Sequence, residues 1–226
     1  VDTEFTFSFL EPHKLPRPLL TVENQSTGYN DKVLVGNINF TIAPGARIAL
    51  LGHNGAGKST VIKMLAGELP SLSGERTEAK DLRIGYFAQH QLEQLKEHES
   101  PIQHLRELGG PAAAKAPEQD LRDFLGTFGF RGDRVFEAIG PFSGGEKARL
   151  VLALLSYLRP NLLLLDEPTD NLDLASAESL ENALNQYEGT VLTVTHDRWF
   201  CRGFTRFLIF GANGRVYEAN EPVFDH

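Results

Sequence analysis

Gly52-His53-Asn54-Gly55-Ala56-Gly57-Lys58-Ser59 carries glycine, four residues, glycine, lysine and serine in a row, a spacing suited to gripping phosphate. Glycines let backbone N–H groups curl around phosphate oxygens, Lys58 can reach the outer phosphates, and Ser59 can ligate magnesium. Gly52, Asn54, Gly55, Ala56, Gly57, Lys58, Ser59 and Thr60 are therefore candidate nucleotide-binding positions, with His53 and Asn54 shaping the loop. A second constellation closes a run of leucines, where Leu162 to Leu165 lead into Asp166-Glu167. Asp166 could hold magnesium through water, and Glu167 could orient and deprotonate an attacking water. A third, Phe142-Ser143-Gly144-Gly145-Glu146, places an N-cap serine three residues before a glutamate, the spacing of a capping box. Two glycines in a helical first turn cost about 1 kcal/mol each relative to alanine, and bare backbone there is an anion site. That cost points to a phosphate partner for Ser143, Gly144 and Gly145.

These residues need elements to position them. Arg47 to Leu51 reads as an apolar strand ending in glycine, and Lys58 to Ala66 has helical apolar spacing that stops at Gly67. Strand, glycine loop and helix thus follow in the order that phosphate binding demands. Leu162 to Leu165, Thr190 to Thr195 and Phe207 to Phe210 alternate with helical segments, the pattern of a parallel sheet covered by helices. From Leu19 to Ile42, two short strand runs, Leu19 to Val22 and Ile38 to Ile42, flank polar turns. Residues 90 to 123 are charged and helix-prone, broken by Gly109, Gly110, Pro111 and an alanine-rich loop reaching Pro117. Phe5, Phe7 and Phe9 alternate with Thr6 and Ser8 like a strand before Pro12, Pro16 and Pro18 intervene. The expected organisation is a lead-in arm over 1–18 and one domain over 19–226, with a helical lobe at about 90–158.

Composition limits the alternatives. With 226 residues, 41% hydrophobic and 23% charged, the chain suits one folded domain and excludes disordered and fibrous classes. A net charge of minus eight argues against a basic nucleic-acid face on this domain alone. The single cysteine, Cys201, cannot form an internal disulfide and reads as a small core hydrophobe. No run approaches 18 apolar residues and Val1 to Leu10 lacks a leader pattern, so the expectation is a cytoplasmic protein without membrane insertion.

Taken in order, the glycine loop, Gln89 within Tyr86-Phe87-Ala88-Gln89, the Ser143-Gly144-Gly145 segment, the Leu162–Glu167 strand running into Asn171-Leu172-Asp173, and His196 resemble an ATP-binding cassette (ABC) ATPase. The resemblance spans about Leu19 to Phe210. It implies an α/β P-loop fold: a mostly parallel sheet core with flanking helices, an antiparallel β lobe and a helical signature lobe. It also implies ATP and Mg2+ as cofactors, with Ser59, Gln89 and Asp166 around the metal. Tyr29 falls where the family stacks an aromatic on adenine, Gln89 where it senses the γ-phosphate and magnesium, and His196 where a histidine contacts the γ-phosphate. Catalysis would rest on Glu167, His196 and Lys58. The implied partner is a second cassette, in the same parent chain or in a homodimer, whose Lys58 counterpart holds the phosphate that Ser143 and Gly145 cover. Asp173 would either cross that interface or cap the following helix.

Finer features resemble the F subfamily of these ATPases, soluble two-cassette proteins that act on ribosomes in translation or in antibiotic resistance. The signature reads Ser-Gly-Gly-Glu-Lys-Ala-Arg, His196 is followed by Asp197-Arg198, and the aromatic, proline-rich arm resembles the entry to a second, C-terminal cassette. One departure stands out: the family commonly has Asn-His-Leu-Asp where this chain has Asp170-Asn171-Leu172-Asp173. Ribosome contact would come through segments absent from this chain. The alternative is the cytoplasmic ATPase subunit of a membrane transporter.

Overall fold

Four consecutive leucines cannot alternate between core and solvent, so their strand must be covered on both faces. In the computed structural model, which describes residues 7–211 and 214–222, β6 (Leu162–Asp166) meets that demand, with Leu162 to Leu165 fully buried. It lies in a six-stranded sheet ordered β5-β6-β7-β3-β8-β9, where β5 is Ile84–Phe87, β7 Thr190–Val194, β3 Arg47–Leu51, β8 Arg206–Phe210 and β9 Val216–Ala219. The pairs β6 with β7, β7 with β3 and β3 with β8 are parallel, and β9 closes the edge antiparallel to β8. Because β3, β6 and β7 run the same way, the loops that follow them emerge at one edge, the carboxyl ends of the strands. At that edge lie Lys58, which opens the helix after the β3 loop, Asp166 at the end of β6 with Glu167 just beyond it, and His196 after β7. Helix α1 (Lys58–Leu65) packs on β6 and β7.

A separate antiparallel sheet, ordered β2-β1-β4, is built from β1 (Leu20–Tyr29), β2 (Lys32–Ile42) and β4 (Ser73–Glu78). The sequence suggests two short strands here, whereas β1 and β2 have 10 and 11 residues. The polar middle, Glu23 to Gly28, obscures the alternation because the register shifts there, with Asn24 and Asn37 in the left-handed region at φ 50° and 52°. Asn30 and Asp31, at φ 54° and 62°, close the hairpin with the two positive angles that a tight two-residue turn requires.

The chain divides into two compact units. One comprises 11–86, 160–167 and 188–226, and holds both sheets. The other takes the arm up to Leu10 with 87–159 and 168–187. It contains α2 (Gln89–Glu93), α3 (Pro101–Leu108), α4 (Gly110–Lys115), α5 (Glu118–Thr127), a 3₁₀ turn at Gly132–Phe136, α6 (Gly144–Tyr157) and α7 (Leu174–Gln186). The alanine-rich stretch expected as a loop is the helix α4. Pro111 sits within its first two positions, where a missing N–H costs nothing, and Arg106 closes its end by donating to the carbonyls of Ala113 and Ala116. The aromatic arm is also corrected. Phe5 lies outside the described residues, and residues 7–10 form no strand, yet Phe7 and Phe9 are buried while Ser8 is exposed. Phe7 stacks on Phe128 with ring centres 5.0 Å apart, and Phe9 meets Tyr187 at 5.8 Å.

Candidate functional site

The glycine loop joins β3 to α1, and its geometry explains its composition. Gly57 has φ 99°, and a Cβ there would lie 2.3 Å from a methyl of Val35, so both backbone angle and space demand glycine. The loop's last glycine thus also lets β2 pass close by, a contact that the sequence motif does not announce. Gly57 is the N-cap of α1, with no side-chain cap and no acid in the first turn, so the helix begins with donors that no side chain satisfies. Lys58 is 6% exposed and its ammonium donates to the Gly52 carbonyl. Burial pulls the Lys58 ammonium below the usual lysine value, and the Glu167 and Asp166 carboxylates partly offset this. Ser59 is exposed and Thr60 buried.

Just after β6, Glu167 has φ 49°, a left-handed angle that costs a residue with a Cβ of order 1–3 kcal/mol and persists only where the surroundings impose it. The Glu167 N–H donates to the Val194 carbonyl at 2.7 Å, which locks the turn onto β7. The carboxylate of Glu167 accepts from the backbone N–H of His196 at 3.4 Å, and the His196 Nε2 lies 3.1 Å from its other oxygen. Sheet topology thus brings Lys58, Asp166, Glu167 and His196 into one unit and one electrostatic environment. Tyr29, half exposed at the end of β1, belongs to the same unit. Among the described residues no three His, Cys, Asp or Glu side chains form a metal cage. The exposed Ser59 in the uncapped first turn of α1 and the Asp166 carboxylate that ends β6 and acts on Lys58 are instead the sparse oxygen set that suits magnesium, which keeps several waters and leans on substrate phosphates.

The second unit holds Gln89, Ser143, Gly144, Gly145 and Asp173. Ser143 caps α6 in a complete capping box: its Oγ accepts from the Glu146 N–H at 3.1 Å, and the Glu146 Oε1 accepts from the Ser143 N–H at 3.1 Å. With its oxygen accepting, the Ser143 hydroxyl keeps its proton for an outside acceptor. Arg134 fixes the box from behind. Two of its nitrogens reach Glu146 Oε2 at 3.1 and 2.6 Å, its third donates to Glu137 at 2.6 Å, and its guanidinium lies 3.9 Å over the Phe142 ring. Burial acts against the Glu146 carboxylate, but the Arg134 and Ser143 hydrogen bonds hold it below the ordinary glutamate value. Asp173 caps α7 by accepting from the Ser176 N–H at 2.8 Å, which also lowers its pKa.

Two residues emerge that the motifs alone do not reveal as parts of the site. Arg134 carries no signal in sequence beyond its charge. Asn171, which marks the departure within the segment after β6, donates from Nδ2 to the Gln89 Oε1 at 2.7 Å. Its neighbours account for part of the glycine pair: a Cβ on Gly144 would lie 3.3 Å from Asn171 Oδ1, and one on Gly145 2.9 Å from the Asn171 carbonyl oxygen. Packing inside the chain therefore demands a bare backbone at Gly145, which faces a main-chain oxygen, while Gly144 faces only a side-chain oxygen that can give.

A P-loop joining a parallel strand to a helix, carboxylates at the end of another strand of the same sheet and a glycine-led helix in a helical unit together define a nucleotide-hydrolysing cassette. Residues 35–170 match the family described as ABC transporter, and the chain belongs to this family of ATP-binding cassette ATPases. Its sequence similarity runs to the F-type branch. The chain is 56% identical over 91% of its length to the probable ATP-binding protein YheS of Escherichia coli (strain K12), covering 32% of that protein. It is 38% identical over 87% of its length to ABC transporter F family member 4 of Arabidopsis thaliana, covering 27% of it. The chain thus spans about a third of the length of the curated relatives it matches. A solved structure of the ATP binding subunit of an ABC transporter superposes with a TM-score of 0.71 at 25% identity, covering 89% of this chain and 90% of that one. No helix among the described residues is long and apolar enough to cross a membrane.

Proposed function

We propose that this chain is one cassette of a longer F-type protein, that it binds Mg-ATP, and that it hydrolyses ATP when a second cassette faces it. The observation that carries this reading is the hold of His196 on the Glu167 carboxylate, in the environment of the buried Lys58 ammonium. Lys58 and the N–H groups at the start of α1 bind the β- and γ-phosphates. Ser59, Asp166 and Gln89 hold magnesium, which when bound neutralises charge on the phosphate oxygens. Glu167 orients a water and takes its proton as the water oxygen bonds to the γ-phosphorus and the bond to the bridging oxygen breaks. His196 keeps the Glu167 carboxylate aimed and donates to the γ-phosphate. Tyr29 stacks on adenine. Ser143 and Gly145 serve the phosphate held by the other cassette, and Asp173 reaches across the same interface. Pairing of cassettes is how this family works, so hydrolysis reports closure of the pair.

For the longer protein we propose a ribosome-associated conformational cycle, in a translation or antibiotic-resistance role, supported by the F-type similarity and by Glu146 and Asp197-Arg198. A transporter subunit is the competing reading, favoured by the solved ATP binding subunit that shares this fold. Glu167→Gln separates the two. The amide keeps shape but cannot accept the proton, so hydrolysis falls by about a hundredfold or more while ATP stays bound. The longer protein carrying this change should then remain on ribosomes in ATP and inhibit cell-free luciferase synthesis. Normal synthesis with no ATP-dependent cosedimentation would count against the ribosomal role and leave the ATPase standing.

A further inference from the structure

We infer that Asn171 is a positioning residue that couples the nucleotide-sensing Gln89 to the start of α6. The inference rests on the roles proposed above for Gln89 and Ser143. The segment from Thr169 to Asp173 is a tight turn, closed by the Leu172 N–H donating to the Thr169 carbonyl at 3.1 Å and ended by the Asp173 cap on α7. Both ends being fixed, Asn171 projects from a braced backbone. Its Nδ2 binds the Gln89 Oε1 at 2.7 Å, its Oδ1 lies against Gly144, and its carbonyl oxygen lies against Gly145. One residue therefore touches both the first residue of α2 and the first two of α6, all within one compact unit.

The consequence follows from what each neighbour can do. Gln89 is exposed, so its long side chain would sample several rotamers without this partner. Asn171 occupies one Gln89 oxygen lone pair and leaves the amide N–H groups and the other lone pair for magnesium or phosphate. Gly144 and Gly145 offer no side chains to absorb a shift of Asn171, so a change in Gln89 passes to the helix that presents Ser143. The cassette's own nucleotide site is thereby linked to the signature that it offers its partner.

The test is a double-mutant cycle in the 226-residue chain, with steady-state Mg-ATP hydrolysis at high protein concentration and equilibrium titration with a fluorescent ATP analogue. Asn171→Ala should lower kcat about three- to tenfold, the scale of one hydrogen bond, with KM and analogue affinity changed less than twofold. In a Gln89→Ala background the same substitution should change kcat by less than twofold, because its partner is already gone. A merely structural role would instead give an equal loss in both backgrounds, and that result, or wild-type kcat in Asn171→Ala, overturns the inference. Should Asn171→Ala fold poorly, Asn171→Leu fills the same space without a donor and is read the same way. Wild-type chain that binds no analogue overturns the nucleotide-site reading itself, an outcome distinct from either.

Discussion

Helices α1 and α6 both begin at glycines ahead of a chemical site, yet their N-termini are finished in opposite ways. At α1 no side chain caps the start and no acid lies in the first turn, while at α6 the Ser143–Glu146 box is complete and Arg134 holds it. An uncapped start costs the free helix something, since capping contributes about 1 kcal/mol, and it leaves donors for an anion that comes and goes. A capped start is stable by itself and offers the Ser143 hydroxyl proton and the Gly144 and Gly145 N–H groups, which the box does not use. Strength of nucleotide binding should therefore reside at α1, and geometry of presentation at α6. Substitutions at the two starts should separate affinity from stability.

The largest effect belongs to Lys58→Ala. Charge-assisted hydrogen bonds to phosphate contribute about 1.5–3 kcal/mol each, so Mg-ATP affinity should fall by about a hundredfold or more. Thermal stability should hold or rise slightly, because a buried ammonium with a lowered pKa is removed. Calorimetric titration showing unchanged affinity would break the comparison at its first step. Gly57→Ala comes next and acts on the fold instead. Alanine at φ 99° with its Cβ 2.3 Å from the Val35 methyl combines a left-handed angle with overpacking, together costing about 2–4 kcal/mol, to be read from urea melts.

Much of this contrast is legible in the sequence, for local reasons. The capping box at Ser143 and Glu146 and the cap at Asp173 depend on residues three apart, and the structure has both. The strands β6, β7 and β8 announce themselves because apolar runs covered on both faces have no competing pattern. What is not legible depends on distant chain or on broken periodicity. The long β1 and β2 hide behind bulges at Asn24 and Asn37, and α4 hides between Gly109 and Pro117, residues that usually punctuate helices. Arg134 and Asn171 matter through partners 12 and 82 residues away, at Glu146 and Gln89, and no spacing rule covers such contacts.

Acid sharpens the comparison at smaller scale. The Glu146 carboxylate titrates below its unfolded value, so its contribution to stability is present above that value and fades as pH falls through the lowered folded one. Replacing Glu146 by glutamine should therefore destabilise the chain by about 1 kcal/mol near neutral pH and by less toward pH 4, where wild type loses the same advantage. The start of α1, with no acid in its first turn, gives no matching pH dependence. Denaturant midpoints of wild type and variant that stay parallel from pH 7 to pH 4 would contradict the assignment.

The smallest effect is expected where the two starts look most alike, at Gly144. Alanine in place of an ordinary helical glycine gains up to about 1 kcal/mol. At Gly144 the backbone is helical and only the Asn171 Oδ1, 3.3 Å from the new methyl, stands in the way. Oδ1 belongs to a side chain, so it can give by a few tenths of an ångström, at the expense of the 2.7 Å bond that Asn171 makes to Gln89. Gain and strain nearly cancel, and Gly144→Ala should shift the melting temperature by no more than about 2 °C, in contrast with Gly57→Ala. Hydrolysis is the more sensitive reading: kcat should drop about two- to threefold, because Gln89 loses its aim while the P-loop is untouched. A melting temperature lowered by 10 °C would mean that Asn171 cannot yield and that the start of α6 is as rigidly packed as the loop before α1. Unchanged melting with unchanged kcat would mean that the Asn171–Gln89 bond carries nothing to α6, and the contrast between the two helix starts would then rest on capping alone.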